Sequence, residues 1–113
     1  MTNDIKRLLQ QYTEELYKIY GNHLKFVILY GSYARGDFNE DSDIDIMILL
    51  DISDIEIKKY RHLLSEVTYN FNTEHDIDIK PIAKDEEHFK KWAPVYPFYS
   101  NIFSEGVNLY GAV

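Results

Sequence analysis

A small α/β (α+β) domain, a mixed twisted sheet covered by helices, is the fold class this sequence predicts. Three observations carry the prediction. Short runs rich in β-branched and aromatic residues alternate with segments of helical periodicity. The chain has 113 residues, which predicts one domain over 1–113. Hydrophobic residues make up 45% of it, enough for one real core and against long disorder.

Residues 2–20 read as a helix, because Ile5, Leu8, Leu9, Tyr12, Leu16 and Ile19 recur at three and four. Thr2 or Asn3 caps its start and Gly21-Asn22 ends it. KFVILY, Lys25 to Tyr30, reads as a strand buried on both faces. Ser32 to Arg35 forms a short helix that Gly36 closes, and Gly36 to Ser42 is polar and turn-like. DIDIMILL, Asp43 to Leu50, is the second strand.

Ser53 and Glu56 have the spacing of a capping box, which predicts a helix from about Asp54 to Val67. Ile55, Tyr60, Leu63, Leu64 and Val67 would lie on or near one face, with YNFNTE as the connection after it. DIDIKPIA, Asp76 to Ala83, is the third strand, and Pro81 places it at an edge or ends it. Asp85 opens a short helix through Lys91. A last helix over Phe98 to Glu105 follows Pro94 and Pro97, and VNLY after Gly106 is a short strand or extended tail.

Composition narrows the functional classes. Lys plus Arg is 12 and Asp plus Glu 19, a formal net charge of -7. Strong nucleic-acid binding is not expected of such a surface, because neutralising phosphates needs basic residues. A bound nucleotide is compatible with it, since metal ions carry positive charge into an acidic site. There is no cysteine, so disulfides and thiolate ligands are excluded. No apolar run approaches the ~20 residues of a spanning helix, and a cytoplasmic location without membrane contact is the expectation.

The informative segment is GSYARGDFNEDSDIDI, Gly31 to Ile46. Asp43 and Asp45 fall two apart at a strand start, so both side chains take one face, their Cα atoms about 6.6 Å apart. Two such carboxylates repel unless a cation sits between them, and hard divalent ions want oxygen ligands. A single acid there would read as merely solvated. Gly31 permits a sharp turn, after which backbone N–H groups and the Ser32 hydroxyl can meet a phosphate. Alone, a Gly-Ser pair is more often a plain loop.

Arg35, the nearest cation, has two readings of equal weight: a polyphosphate contact, or a surface pair with Asp37, Glu40 or Asp41. On the third strand Asp78, preferred over Asp76, can complete a metal site and accept the proton of an attacking hydroxyl. Lys80 shares the face of Asp78 and either touches a phosphate, neutralises the acids or forms a plain salt bridge. The four histidines lack zinc-like spacing; His75 is the one nearest the third strand.

Gly31-Ser32, ten intervening residues, then Asp43-x-Asp45 resembles the signature of the nucleotidyltransferase superfamily related to DNA polymerase β. The fuller string through Ala34-Arg35-Gly36 and Ser42-Asp43-Ile44-Asp45 is similar to the minimal nucleotidyltransferases, partners of HEPN-domain toxins. Asp78-Ile79-Lys80-Pro81-Ile82 resembles the family's third-strand segment, and the stretch from Phe98 to Tyr110 its C-terminal segment, so the likeness covers roughly residues 24–110.

The resemblance implies a nucleotidyltransferase fold and these roles. Gly31 and Ser32 hold a nucleoside triphosphate, ATP, with Arg35, Ser42 and Lys80 as further binding residues. Asp43, Asp45 and Asp78 bind two Mg2+ ions, and Asp78 assists deprotonation of the acceptor. AMP passes to a tyrosine of the HEPN ribonuclease, which it silences as an antitoxin. The alternative is a non-catalytic antitoxin that masks the toxin by contact. Homo-oligomers and hetero-oligomers with the partner are both open.

Overall fold

The computed structural model describes residues 2–111. Helix α1 spans Asn3–Tyr20, and the Thr2 hydroxyl caps it by accepting from the Ile5 N–H at 3.3 Å. Strand β1 (Leu24–Tyr30) leads into a one-turn helix α2 (Ser32–Arg35), which Gly36 closes in the left-handed conformation. Strand β2 is Ile44–Leu50. Helix α3 (Asp54–Ile57), a 3₁₀ turn (Lys58–Tyr60) and helix α4 (Arg61–His75) carry the chain across to β3 (Ile79–Asp85). Helices α5 (Glu86–Trp92) and α6 (Pro97–Glu105) precede the short β4 (Val107–Tyr110).

The sheet runs β3-β2-β1-β4. β1 pairs antiparallel with β2 and with β4, whereas β2 and β3 are parallel, as a helical crossover requires. β3 is an edge strand, which is why Pro81 is tolerated within it: its missing donor faces no neighbour.

Alternate residues of β2 feed two cores. Ile44, Ile46, Ile48 and Leu50 face α1 and α4, where they pack with Leu9, Tyr12, Leu16, Tyr20, Val27, Leu29 and Phe71. Met47 and Leu49 face α5 and α6, with Ile28, Phe89 and Ile102. The polar atoms of the first core are matched: the Tyr12 hydroxyl and the Thr68 hydroxyl share a buried hydrogen bond of 2.7 Å.

Three sequence expectations are corrected. The helix expected over 54–67 breaks at the 3₁₀ turn and re-phases, so that Ile57, Tyr60, Leu64, Thr68 and Phe71 face the core while Ile55 and Leu63 are exposed. The expected connection YNFNTE is helix, because α4 runs to His75. Asp76 is not in the third strand. It closes α4 with a left-handed φ of 52°, and β3 begins at Ile79. Asn72 fixes that change of direction by holding both the N–H and the carbonyl of Ile79.

Candidate active site

The register of the sheet assembles the site. Tyr30, the last residue of β1, lies opposite Asp45 of β2, so Gly31 turns beside the Asp45 side chain. Gly31 has φ 76° and ψ -154°, and a Cβ placed there would run into the Asp45 carboxylate. The position therefore needs glycine for its conformation, and any larger residue would also push the Asp45 carboxylate aside. The first residues of α2, Ser32 and Tyr33, have backbone N–H groups with no acceptor earlier in the helix.

On the other side of β2, Asp45 is level with Lys80 and Ile44 with Ile79, in parallel register. The Ile44 N–H donates to the Asp78 carbonyl at 2.9 Å, so Asp78 enters the sheet alongside Asp43. Asp45 and Lys80 thus share one face of the β2–β3 pair, and Asp43 and Asp78 immediately precede its two strands at the same end. The side chain of Asp78 is turned to Lys80, its Oδ1 3.6 Å from Nζ. Asp76, the C-cap of α4, lines a polar hollow of about 330 Å3 with Glu40, Asp41, Ser42 and Asp78, separate from Asp45.

The electrostatics single out Asp45. Burial pushes its pKa above the ordinary carboxylate value, and the neighbouring Asp43 charge adds to the rise, while Arg35 and Lys80 oppose it. Tyr30 is pushed up to about 12, first by burial and then by the Asp45 charge. An incoming cation would relieve the repulsion between Asp43 and Asp45, so this donor set of hard oxygens fits a hard divalent ion. Among the described residues, no three carboxylate or imidazole side chains converge closely enough to enclose one. Asp78 is drawn aside by Lys80 instead.

Gly31, Ser32, Arg35 and Asp45 share one cavity of about 360 Å3, together with Tyr30, Phe98, Asn101, Ile102 and Glu105. Arg35 is held by carboxylates: its Nε donates to Asp37 at 3.3 Å and its guanidinium lies 3.7 Å from Glu105. Of its two expected settings, the surface pair is the one formed, with Glu105 as an unforeseen second partner. Ser42 is occupied within its own turn, accepting from the Asn39 N–H at 3.0 Å. Lys80 makes the salt bridge with Asp78. His75 packs its ring on Phe71, on the α1–α4 side.

Sequence reasoning missed Tyr30, Asn101 and Glu105 as cavity residues. Tyr30 could have been found, since it immediately precedes the Gly31 turn. Asn101 and Glu105 arrive only through the packing of α6 on β1, which no local pattern announces.

Residues 3–111 match the Polymerase beta, Nucleotidyltransferase family, and the chain belongs to it. It is similar to the Methanocaldococcus jannaschii protein named "Putative protein adenylyltransferase MJ0604", 32% identical over 108 residues that cover 93% of this chain and 97% of the relative. MJ0141 of the same organism, named in the same way, is 32% identical over 79 residues, 70% of this chain and 78% of its own.

Among solved structures, a chain from Sulfolobus solfataricus named "putative nucleotidyltransferase" superposes with a TM-score of 0.60 at 22% identity, covering 91% of this chain and 77% of that one. A chain of a toxin-antitoxin complex with AMP-PNP gives 0.58 at 19% identity, over 91% and 73% of the two chains. A chain from the complex of a tri-AMPylated Shewanella oneidensis HEPN toxin with its MNT antitoxin gives 0.53 at 17%, over 95% and 73%. The fold is that of the minimal nucleotidyltransferases, and the protein is a nucleotidyltransferase by family.

Proposed function

We propose that this protein is a single minimal nucleotidyltransferase domain that transfers AMP from ATP to a tyrosine hydroxyl of a partner HEPN ribonuclease toxin, as its antitoxin. The observation that carries the reading is the Gly31 bend pressed against the Asp45 carboxylate, whose pKa is raised by burial and by Asp43. A fold has no structural use for two repelling acids beside a turn that only glycine can make. The similarity to proteins named as adenylyltransferases supports AMP as the group transferred. The fold shared with the AMP-PNP and tri-AMPylated HEPN complexes supports the partner class.

In this reading the Ser32 hydroxyl and the first N–H groups of α2 hold the triphosphate, and Arg35 leaves its carboxylate partners to meet it. Asp43, Asp45 and Asp78 are the residues that would hold two Mg2+ ions. Bound there, magnesium supplies charge neutralisation at the phosphates and a lowered pKa for the acceptor hydroxyl. Asp78 takes the hydroxyl proton once it is released from Lys80, and Lys80 then faces the reacting phosphate. The acceptor oxygen bonds to the α-phosphorus, the bond from that phosphorus to the bridging oxygen breaks, and pyrophosphate leaves. Ser42 serves by holding the 39–42 turn, so that Asp43 enters the strand at the right residue.

A second reading has one specific observation behind it. Asp78 is paired with Lys80 and, among the described residues, three acids do not converge. That arrangement also suits an antitoxin that masks its toxin by contact. Incubation of the partner with this protein, ATP and magnesium, followed by intact-mass analysis, separates the two. AMP adducts that vanish with Asp43→Asn plus Asp45→Asn are the expected result. Neutralisation of the toxin by that folded double variant, with no adduct from the wild type, would establish masking instead.

A further inference from the structure

We propose that the face of α6 presented by Phe98 and Asn101 is the nucleobase subsite, and that it selects adenine. The inference rests on the nucleotidyltransfer reading above and deepens it by naming the residues that read the base. The cavity at Gly31 and Asp45 has two unlike walls. Its polar wall, Gly31, Ser32, Arg35 and Asp45, suits phosphate and its counter-ions. The opposite wall comes from α6 and carries Phe98, Asn101, Ile102 and Glu105, with Tyr30 at its foot.

Phe98 is 49% exposed and meets Tyr30 edge-on, ring centroids 5.7 Å apart at 83°. A large aromatic ring half open to solvent, held from behind by a second ring, is a stacking platform for a flat heterocycle. The neighbouring hollow has a ring pair of its own, Tyr33 stacked on Phe38 with centroids 4.3 Å apart, but Glu40, Asp41, Asp76 and Asp78 also line it, and those four carboxylates repel a nucleotide. A base attached to phosphates at Gly31-Ser32 therefore finds its apolar surface on α6.

Asn101, one helical turn beyond Phe98, supplies the discrimination. Its amide carries both a donor and an acceptor, the pair that matches adenine N7 and N6. Guanine presents two acceptors at the same edge, N7 and O6, and leaves the Asn101 carbonyl oxygen unmatched. Glu105 lies one turn further on and is 3.7 Å from Arg35. It places a second acceptor on that wall, which again favours an amino group over a carbonyl.

The test uses magnesium with three probes, AMP-PNP, its guanine counterpart GMP-PNP and inorganic tripolyphosphate, each titrated calorimetrically into the full chain. Wild type is expected to bind AMP-PNP at least about tenfold more tightly than GMP-PNP. Phe98→Ala should weaken AMP-PNP by about tenfold and leave tripolyphosphate unchanged, and Phe98→Trp should restore it. Asn101→Leu, which removes both the donor and the acceptor, should reduce the adenine preference at least about threefold, with the melting temperature of each variant reporting an intact fold. Equal loss of AMP-PNP and tripolyphosphate in Phe98→Ala, or no loss of either, overturns the subsite. Failure of tripolyphosphate to bind wild type while AMP-PNP binds normally faults the phosphate wall and the proposed transfer, not the base wall.

Discussion

The two faces of the sheet are built from the same strands and end differently. Toward α1 and α4, β2 contributes Ile44, Ile46, Ile48 and Leu50, buried along the whole strand; the hollow of about 480 Å3 on that side lies between α4 and β3 and touches no residue of β2. Toward α5 and α6 it contributes Leu49 and Met47, and then the apolar run stops at Asp45. Where that second core stops, the cavity begins. One face is spent on stability, and the other leaves its last layer open to hold charge and ligand. The raised pKa of Asp45 is the physical mark of that choice, since burial and a neighbouring acid both disfavour its charged form.

The largest expected effect lies at Asp45 and Asp43, where the second face opens. Either Asp43→Asn or Asp45→Asn should lower AMP transfer by on the order of 100-fold to 1000-fold, read by intact mass of the acceptor over time. Asp45→Asn should also melt at a higher temperature than wild type at pH 7. The sign follows from the raised folded-state pKa. The native state holds the proton more tightly than the unfolded one, so wild-type stability falls as pH rises from the ordinary value of 3.8 through the raised one. Denaturant melts across that window should show the fall in wild type and its loss in Asp45→Asn. An Asp45→Asn variant less stable than wild type at pH 7 would refute the account of the open face.

Next come the cores themselves. Leu16→Ala on the closed face should cost about 2–5 kcal/mol in chemical denaturation, near the upper end because no water can replace the lost side chain. Ile102→Ala borders the open cavity and should fall toward the lower end of the same range. Equal costs would show that the second face is as tightly closed as the first.

The two acids before β3 sharpen the picture on a smaller scale. Asp78→Asn should impair transfer strongly. Asp76→Gly should leave transfer unchanged and raise stability by less than about 1 kcal/mol, because glycine occupies a left-handed φ of 52° without penalty. The smallest effect is Arg7→Ala. Its pair with Asp4 is exposed on both sides, and loss should stay within about 0.5 kcal/mol by thermal melt.

The elements that periodicity and caps mark strongly were legible: α1 with its Thr2 cap, β1 and β2, the Gly36 stop, the edge position of the Pro81 strand. The stretch from Asp54 to Asp78 was not. The repeated DIDI tetrapeptide looks like a strand both times, but the second copy begins at the end of a helix. Asn72 captures Ile79 from a distance of seven residues, which fixes where α4 gives way to β3. The 3₁₀ turn at 58–60 shifts the helical phase, so the apolar residues that looked core-facing from a straight helix are partly the wrong ones. At the site, Gly31, Ser32, Asp43 and Asp45 were readable from local spacing alone. Tyr30, Asn101 and Glu105 were not.

By itself the sequence determined the chemistry available: which residues turn, which carry charge, and that two carboxylates share one strand face, because each of these follows from dihedral freedom and a period of two. Only the tertiary structure decided which groups meet. The antiparallel register sets Tyr30 and Gly31 against Asp45, the Ile44 N–H bond to the Asp78 carbonyl brings Asp78 in beside the start of β2, and the packing of α6 closes a cavity over Tyr30, Gly31 and Asp45. Those are contacts between residues far apart in the chain, and their energies belong to the assembled sheet rather than to any segment of it.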